Sequence, residues 1–76
     1  MGQSHGSSEF IVWRLTHPNS QTARCTILFE GGHWSLRRWL DNFDSRVEHF
    51  DNRDNALARA GELRRDLERR GFREDL

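Results

Sequence analysis

The sequence predicts an α+β fold, a three- or four-stranded antiparallel meander with one C-terminal helix packed on one face. Three observations predict it. Residues 10–16 and 22–30 are runs of β-branched and aromatic residues separated by a Pro-Asn turn signal. The apolar spacing changes clearly to a helical period only after residue 51. Gly71-Phe72 then ends that stretch with the chemistry of a helix terminus.

The elements can be justified in order. Met1-Gly2-Gln3-Ser4-His5-Gly6-Ser7-Ser8 has nothing to bury, so residues 1–8 are read as a disordered tail and residues 9–76 as a single α+β domain. Phe10-Ile11-Val12-Trp13-Arg14-Leu15-Thr16 gives a strand over about 9–16, ended by His17-Pro18-Asn19-Ser20. A second strand over about 22–30 stops at Gly31-Gly32, and alternation puts Cys25, Ile27 and Phe29 on one side and Arg24, Thr26 and Leu28 on the other. The short loop between the two favours a hairpin. In a third run, about 33–40, Trp34, Leu36, Arg38 and Leu40 share a side opposite Ser35, Arg37 and Trp39. Asp41 to Ser45 reads as a turn, and 46–50 as a short fourth strand.

The helix is expected over about 53–70. Asp51-Asn52 supplies an N-cap, Asp54 an acid in the first turn, and Ala56, Ala60, Leu63 and Leu67 a stripe that Leu57 widens. Gly71 stands where a left-handed residue belongs, with Arg69 and Arg70 complementing the negative helix end and Phe72 placed to fold back on Leu67. Gly61 in the interior costs about 1 kcal/mol relative to Ala, either to allow close approach to the sheet or simply tolerated.

Composition sets limits. A chain of 76 residues makes one small domain that buries roughly 60% of its unfolded surface, too little for a two-lobed enzyme with a closed active site. Apolar residues are 34% and charged residues 32%, a balance that still permits a packed core. All twelve basic residues are arginine, and tyrosine is absent. Arginine has GC-rich codons and lysine AT-rich ones, so the bias points to a GC-rich, bacterial coding sequence. The net charge of +0 argues against binding duplex nucleic acid by bulk electrostatics, although residues 1–40 are mildly basic and 41–76 mildly acidic. Cys25 is alone, which excludes an intramolecular disulfide or a cysteine zinc site and suits a reducing cytosol. With no signal-peptide pattern and no apolar run of about 20 residues, the expected location is cytoplasmic, away from membranes.

One helix covers one sheet face, and the other face carries the functional expectation. Alternation assigns Ile11, Trp13, Leu15, Cys25, Ile27, Phe29, Trp34 and Leu36 to the helix side. It assigns Phe10, Val12, Leu28 and Trp39, with Arg14, Arg24, Arg37 and Glu48, to the uncovered side. A solvated sheet face is normally polar, whereas Trp and Arg beside aliphatic residues are the composition of a binding surface. The expected function is therefore a small non-catalytic module for protein–protein binding or self-association, using Val12, Arg14, Arg24, Leu28, Arg37 and Trp39. The alternative is single-stranded nucleic acid, with bases stacked on Trp39 and arginines on the backbone.

Catalytic and metal readings are weaker. His17, His33 and His49 are sixteen apart, but their flanking segments are unlike and lack ligand spacing, so they read as turn or edge residues. Cys25 alternates with Ile27 and Phe29 as a small buried hydrophobe would, not as a nucleophile. Gly31-Gly32 lacks the context of a phosphate loop. The helix charges are of mixed sign, and no isolated carboxylate pair offers acid–base chemistry. No cofactor, metal or small-molecule substrate is implied.

Arg46-Val47-Glu48-His49-Phe50-Asp51, leading into Ala56-x-x-x-Ala60-x-x-Leu63-x-x-x-Leu67-x-x-x-Gly71-Phe72, carries a resemblance. It resembles small uncharacterised bacterial proteins in which a β-meander ends in a helix closed by Gly and an aromatic, over roughly residues 9–73. That likeness implies a fold and no activity. The same ending is similar to WGR domains, sheet-plus-helix modules linked to nucleic-acid-dependent proteins. Their Trp-Gly-Arg triplet is absent here, the nearest tryptophan standing in Gly32-His33-Trp34-Ser35, and their function is not carried over.

Overall fold

The computed structural model describes residues 9–41 and 44–74; the expected tail over residues 1–8 lies outside them, as do residues 42 and 43 of the expected turn. The elements run β1 (Glu9–Thr16), β2 (Thr22–Glu30), β3 (His33–Leu40), β4 (Asp44–Phe50), α1 (Arg53–Arg69) and β5 (Arg73–Glu74). The strands form one antiparallel sheet in the order β4-β3-β2-β1-β5, so the fold is α+β. Among the described residues, no helix is long and apolar enough to cross a membrane.

Local chemistry explains each turn. Between β1 and β2, the Asn19 side chain accepts from the Gln21 N–H (2.9 Å) and His17 Nδ1 from the Asn19 N–H (3.1 Å). Gly31 and Gly32, at φ 64° and 85°, form the two-residue turn of the β2–β3 hairpin, which needs positive φ at both positions. Asp41, the residue after β3, binds back to β2 with its Oδ1 on the Thr22 N–H (2.9 Å).

The register of β1 against β2 slips at one point. Ile11 faces Thr26 and Trp13 faces Cys25, leaving Val12 as the extra residue of a β-bulge. Val12 packs against the core rather than joining the uncovered face. Upstream of the bulge the alternation is inverted, so Phe10, opposite Ile27, takes the helix side and Ile11, opposite Thr26, the uncovered side. The expected sides of Phe10, Ile11 and Val12 are thus reversed. Phe10-Ile11-Val12-Trp13 is apolar throughout and offers no polar residue to mark the change of phase.

The core joins Trp13, Leu15, Ala23, Cys25, Ile27 and Leu36 of the sheet to Ala56, Ala60 and Leu67 of α1, with Phe72 beyond it. The small alanines let the helix backbone come close, and Trp13 Nε1–H donates to the Ala60 carbonyl at 2.9 Å. Gly61 is not needed for that approach, since a Cβ there would meet only the Arg65 side chain at 3.9 Å. Asn52 caps the helix by accepting from the Asn55 N–H at 2.8 Å. At the other end Gly71 (φ 104°) donates to the Glu68 carbonyl at 3.1 Å and Phe72 to that of Leu67 at 3.1 Å, the two bonds of a Schellman ending.

This ending is clasped by the first turn of the sheet. His17 Nε2 lies 3.1 Å from the Arg70 carbonyl, and its ring meets Phe72 edge-on with centroids 5.1 Å apart. With Nδ1 accepting from Asn19, Nε2 carries the proton and donates to the helix carbonyl. The chain then returns to pair Arg73 and Glu74 with Thr16 and Leu15, a fifth strand too short to show as a periodic run.

β4 begins at Asp44 because Asp44 and Ser45 still pair with Leu40 and Trp39. Its faces also differ from expectation. Glu48 lies opposite Leu36 on the helix side, where both carboxylate oxygens accept from Arg59 Nε at 3.1 and 3.2 Å, and Val47 turns to the uncovered side, 44% exposed. At this sheet edge an ion pair joins strand to helix beside the partly buried Phe50.

Candidate functional site

The uncovered face is laid out by the register. One row runs Ser45, Trp39, Arg24, Arg14 across β4, β3, β2 and β1, and the next runs Val47, Arg37, Thr26, Ile11. A third holds His49, Ser35, Leu28 and Glu9. Arg14, Arg24, Leu28, Arg37 and Trp39 therefore do share a face, and Val12 is the one expected site residue that does not. Trp34 packs against the core on the helix side.

Trp39 is the centre of the arrangement. The Arg24 guanidinium carbon sits 4.6 Å from the indole centroid and that of Arg37 5.4 Å. Each such cation–π contact contributes about 0.5–1 kcal/mol where exposed. Arg14 stands directly across from Arg24, an opposed like-charge pair that works against sheet formation by up to about 1 kcal/mol. Among the described residues all six ion pairs involve arginines of α1 or the adjoining Arg70, and Arg14, Arg24 and Arg37 make none. The face thus concentrates three guanidinium groups that make no ion pair among the described residues, on a chain of zero net charge.

Beside them lies a recess of about 180 Å³ lined by Arg14, Thr22, Arg24, Trp39 and Asp41. The Trp39 indole N–H is buried without an acceptor among the described residues, an arrangement that costs about 1–3 kcal/mol in a folded protein. Further along the face, Thr26 donates to the Glu9 carboxylate at 2.6 Å, and Ile11 and Val47 add exposed aliphatic surface. Sequence reasoning missed both of these residues, Ile11 because of the bulge and Val47 because an apolar residue in an alternating strand reads as inward.

The histidines and the cysteine do not gather at one point. His33 and His49 meet edge-on with ring centroids 5.0 Å apart, and His49 Nδ1 lies 3.1 Å from Ser35 Oγ, while His17 serves the helix clasp. Among the described residues no three His, Cys, Asp or Glu side chains come together as metal ligands.

Cys25 is fully buried, and desolvation pushes its thiol from 9.0 up to about 12 against a smaller opposing pull from Arg38. With no lysine or tyrosine in the chain, Cys25 is the side chain that titrates between those values. A raised folded-state value means that its contribution to stability is complete below about pH 9 and is lost as pH rises toward about 12. The folded protein should resist iodoacetamide at pH 8 and take up one equivalent in urea. Its urea midpoint should fall above pH 9, and in Cys25→Ala that slope should flatten. Rapid alkylation of the folded protein would contradict the burial.

No family model matches the chain, and neither the curated proteins nor the solved structures contain a match.

Proposed function

We propose that this protein is a non-catalytic binding module of the bacterial cytoplasm that takes a partner protein on the uncovered sheet face, through Arg14, Arg24, Arg37 and Trp39. The observation that carries the reading is a pair of guanidinium groups, Arg24 and Arg37, over one indole, with Arg14 directly opposing Arg24 and none of the three in an ion pair among the described residues. Like-charge opposition is relieved when an acid enters, so the matching surface carries carboxylates with an apolar residue to meet Ile11, Leu28 or Val47. Face-to-face pairing of two copies would set arginine on arginine, which favours a different protein as the partner.

Single-stranded nucleic acid is the second reading, favoured by guanidinium groups beside an aromatic ring. Stacking a base on Trp39 would require displacing Arg24 or Arg37 from the indole. The carboxylate reading needs no such change.

Amide chemical shifts followed during titration with a glutamate-rich peptide and, separately, with an oligothymidine test the proposal. The expected result is that peptide shifts centre on residues flanking Arg24, Arg37 and Trp39. Trp39→Ala should weaken the peptide at least about tenfold while changing stability by no more than about 1 kcal/mol, since the lost contacts are offset by removing an unsatisfied N–H. Tighter, steeply salt-dependent binding of the oligothymidine would establish the second reading instead. Unfolding of Trp39→Ala would make Trp39 a core residue and overturn both.

A further inference from the structure

Among the described residues, the outer edge of β4 is the longest stretch of strand backbone that this sheet leaves unpaired at an end of its order. The opposite edge is shorter and interrupted, because β1 is bulged at Val12 and its last two residues are covered by β5. An open edge is a template for a further strand, and alternating charge on it decides which strand can add.

We propose that β4 is a self-pairing edge whose occupant is β4 of a second copy, antiparallel and centred on Val47. A two-fold axis normal to the sheet permits only registers in which one residue faces itself and both copies keep the same face up. Centring on Arg46 would oppose Arg46 to Arg46 and Asp44 to Glu48. Centring on Glu48 would oppose two glutamates. Centring on Val47 faces each Arg46 with Glu48 of the partner subunit, twice by symmetry, while Val47 meets Val47 and Ser45 meets His49. It is also the register that pairs the whole strand, since Val47 is the middle residue of Asp44–Phe50. Centring on Ser45 would also oppose opposite charges, Asp44 to Arg46, but overlaps only residues 44–46 of the strand, so charge complementarity and overlap length together select Val47.

Two features of the single chain point the same way. Arg46 is exposed, makes no ion pair among the described residues and lies directly opposite Arg38 of β3. The partner's Glu48 would bring an acid beside that like-charge pair. Within each copy Glu48 is held by Arg59, which fixes the carboxylate on the side of the sheet where Arg46 also lies. The product is a continuous ten-stranded sheet with both uncovered faces on one side. It leaves the Trp39 surface open and stands or falls separately from the partner reading.

Light scattering over a concentration series tests this with the intact chain. The mass should climb from 9.0 kDa toward twice that value as concentration rises. Arg46→Glu replaces the attraction with carboxylate-on-carboxylate repulsion at both ends of the register and should weaken the dimer by about tenfold or more. At a concentration where both proteins are monomeric, its circular dichroism should stay unchanged and its melting should not fall, because the substitution puts an acid opposite Arg38 in place of a like charge. Val47→Cys places two thiols at Cα positions about 4.5–5.5 Å apart, within disulfide range, and should cross-link on mild oxidation, whereas Ser45→Cys faces a histidine and should not. Native Cys25 is buried and does not compete. A monomer at every concentration up to about 1 mM overturns the proposal. So does a dimer indifferent to Arg46→Glu, or one lost in Trp39→Ala, which would place the contact on the face instead of the edge.

Discussion

Trp13→Ala unfolds most of the population under conditions where Trp39→Ala remains folded. The two tryptophans differ in what holds them. Trp13 is 5% exposed, sits between sheet and helix, and donates its indole N–H to Ala60 across the sheet–helix interface. Truncating a buried tryptophan costs about 3–5 kcal/mol. A domain of this size has about 4–11 kcal/mol in all, so the loss removes much of its stability. Trp13→Phe is the milder test, since it keeps an aromatic ring while losing the donor and part of the buried ring volume, at about 1–3 kcal/mol. Urea titrations followed by circular dichroism should rank wild type, Trp13→Phe and Trp13→Ala in that order. A loss under about 1 kcal/mol for Trp13→Ala would mean that the helix is not anchored where we place it.

Gly71→Ala carries the second large effect, from a position with no side chain at all. Its φ of 104° is open to glycine and strained for alanine. A Cβ there would also stand 2.8 Å from His17 Nε2, the atom that donates to the Arg70 carbonyl. Backbone strain and the displaced histidine together should remove about 2–4 kcal/mol. Because His17→Ala removes both the clash and the clasp, Gly71→Ala made in the His17→Ala background should cost less than in wild type, and that smaller loss is the backbone strain. If Gly71→Ala melts like wild type, the Schellman ending and its clasp are not as described.

What the sequence made legible follows from which signals are local. The helix was readable to its caps because Asn52, the alanine–leucine stripe, Gly71 and Phe72 each act within a turn or two of themselves. The hairpin was readable because Gly31-Gly32 ends a run that alternates polar and apolar from Arg24 to Ile27, whereas the looser alternation of β3 suggested a side for Trp39 without fixing it. The bulge was not, since an unbroken apolar run has no phase to read. Glu48 was placed on the wrong side because its partner, Arg59, is eleven residues away on another element. β5 exists only because the helix ends where it can meet β1, so two residues could not announce it. The cluster of Arg24 and Arg37 about Trp39 depends on cross-strand register, which alternation narrows to a face but not to a neighbour.

The return of the chain to β1 has a bearing on the order of assembly. The β1–β2 and β2–β3 pairings close turns of a few residues and can form early and locally. The contact of β5 with β1 joins Leu15 to Glu74, about sixty positions apart, and each doubling of a closed loop adds about 0.6 kcal/mol of entropy cost. Its reward is only two residue pairs, the His17 clasp and the burial of Phe72. The seam therefore shuts after the meander has formed and loosens before it, making the last two strand residues the latch of the domain.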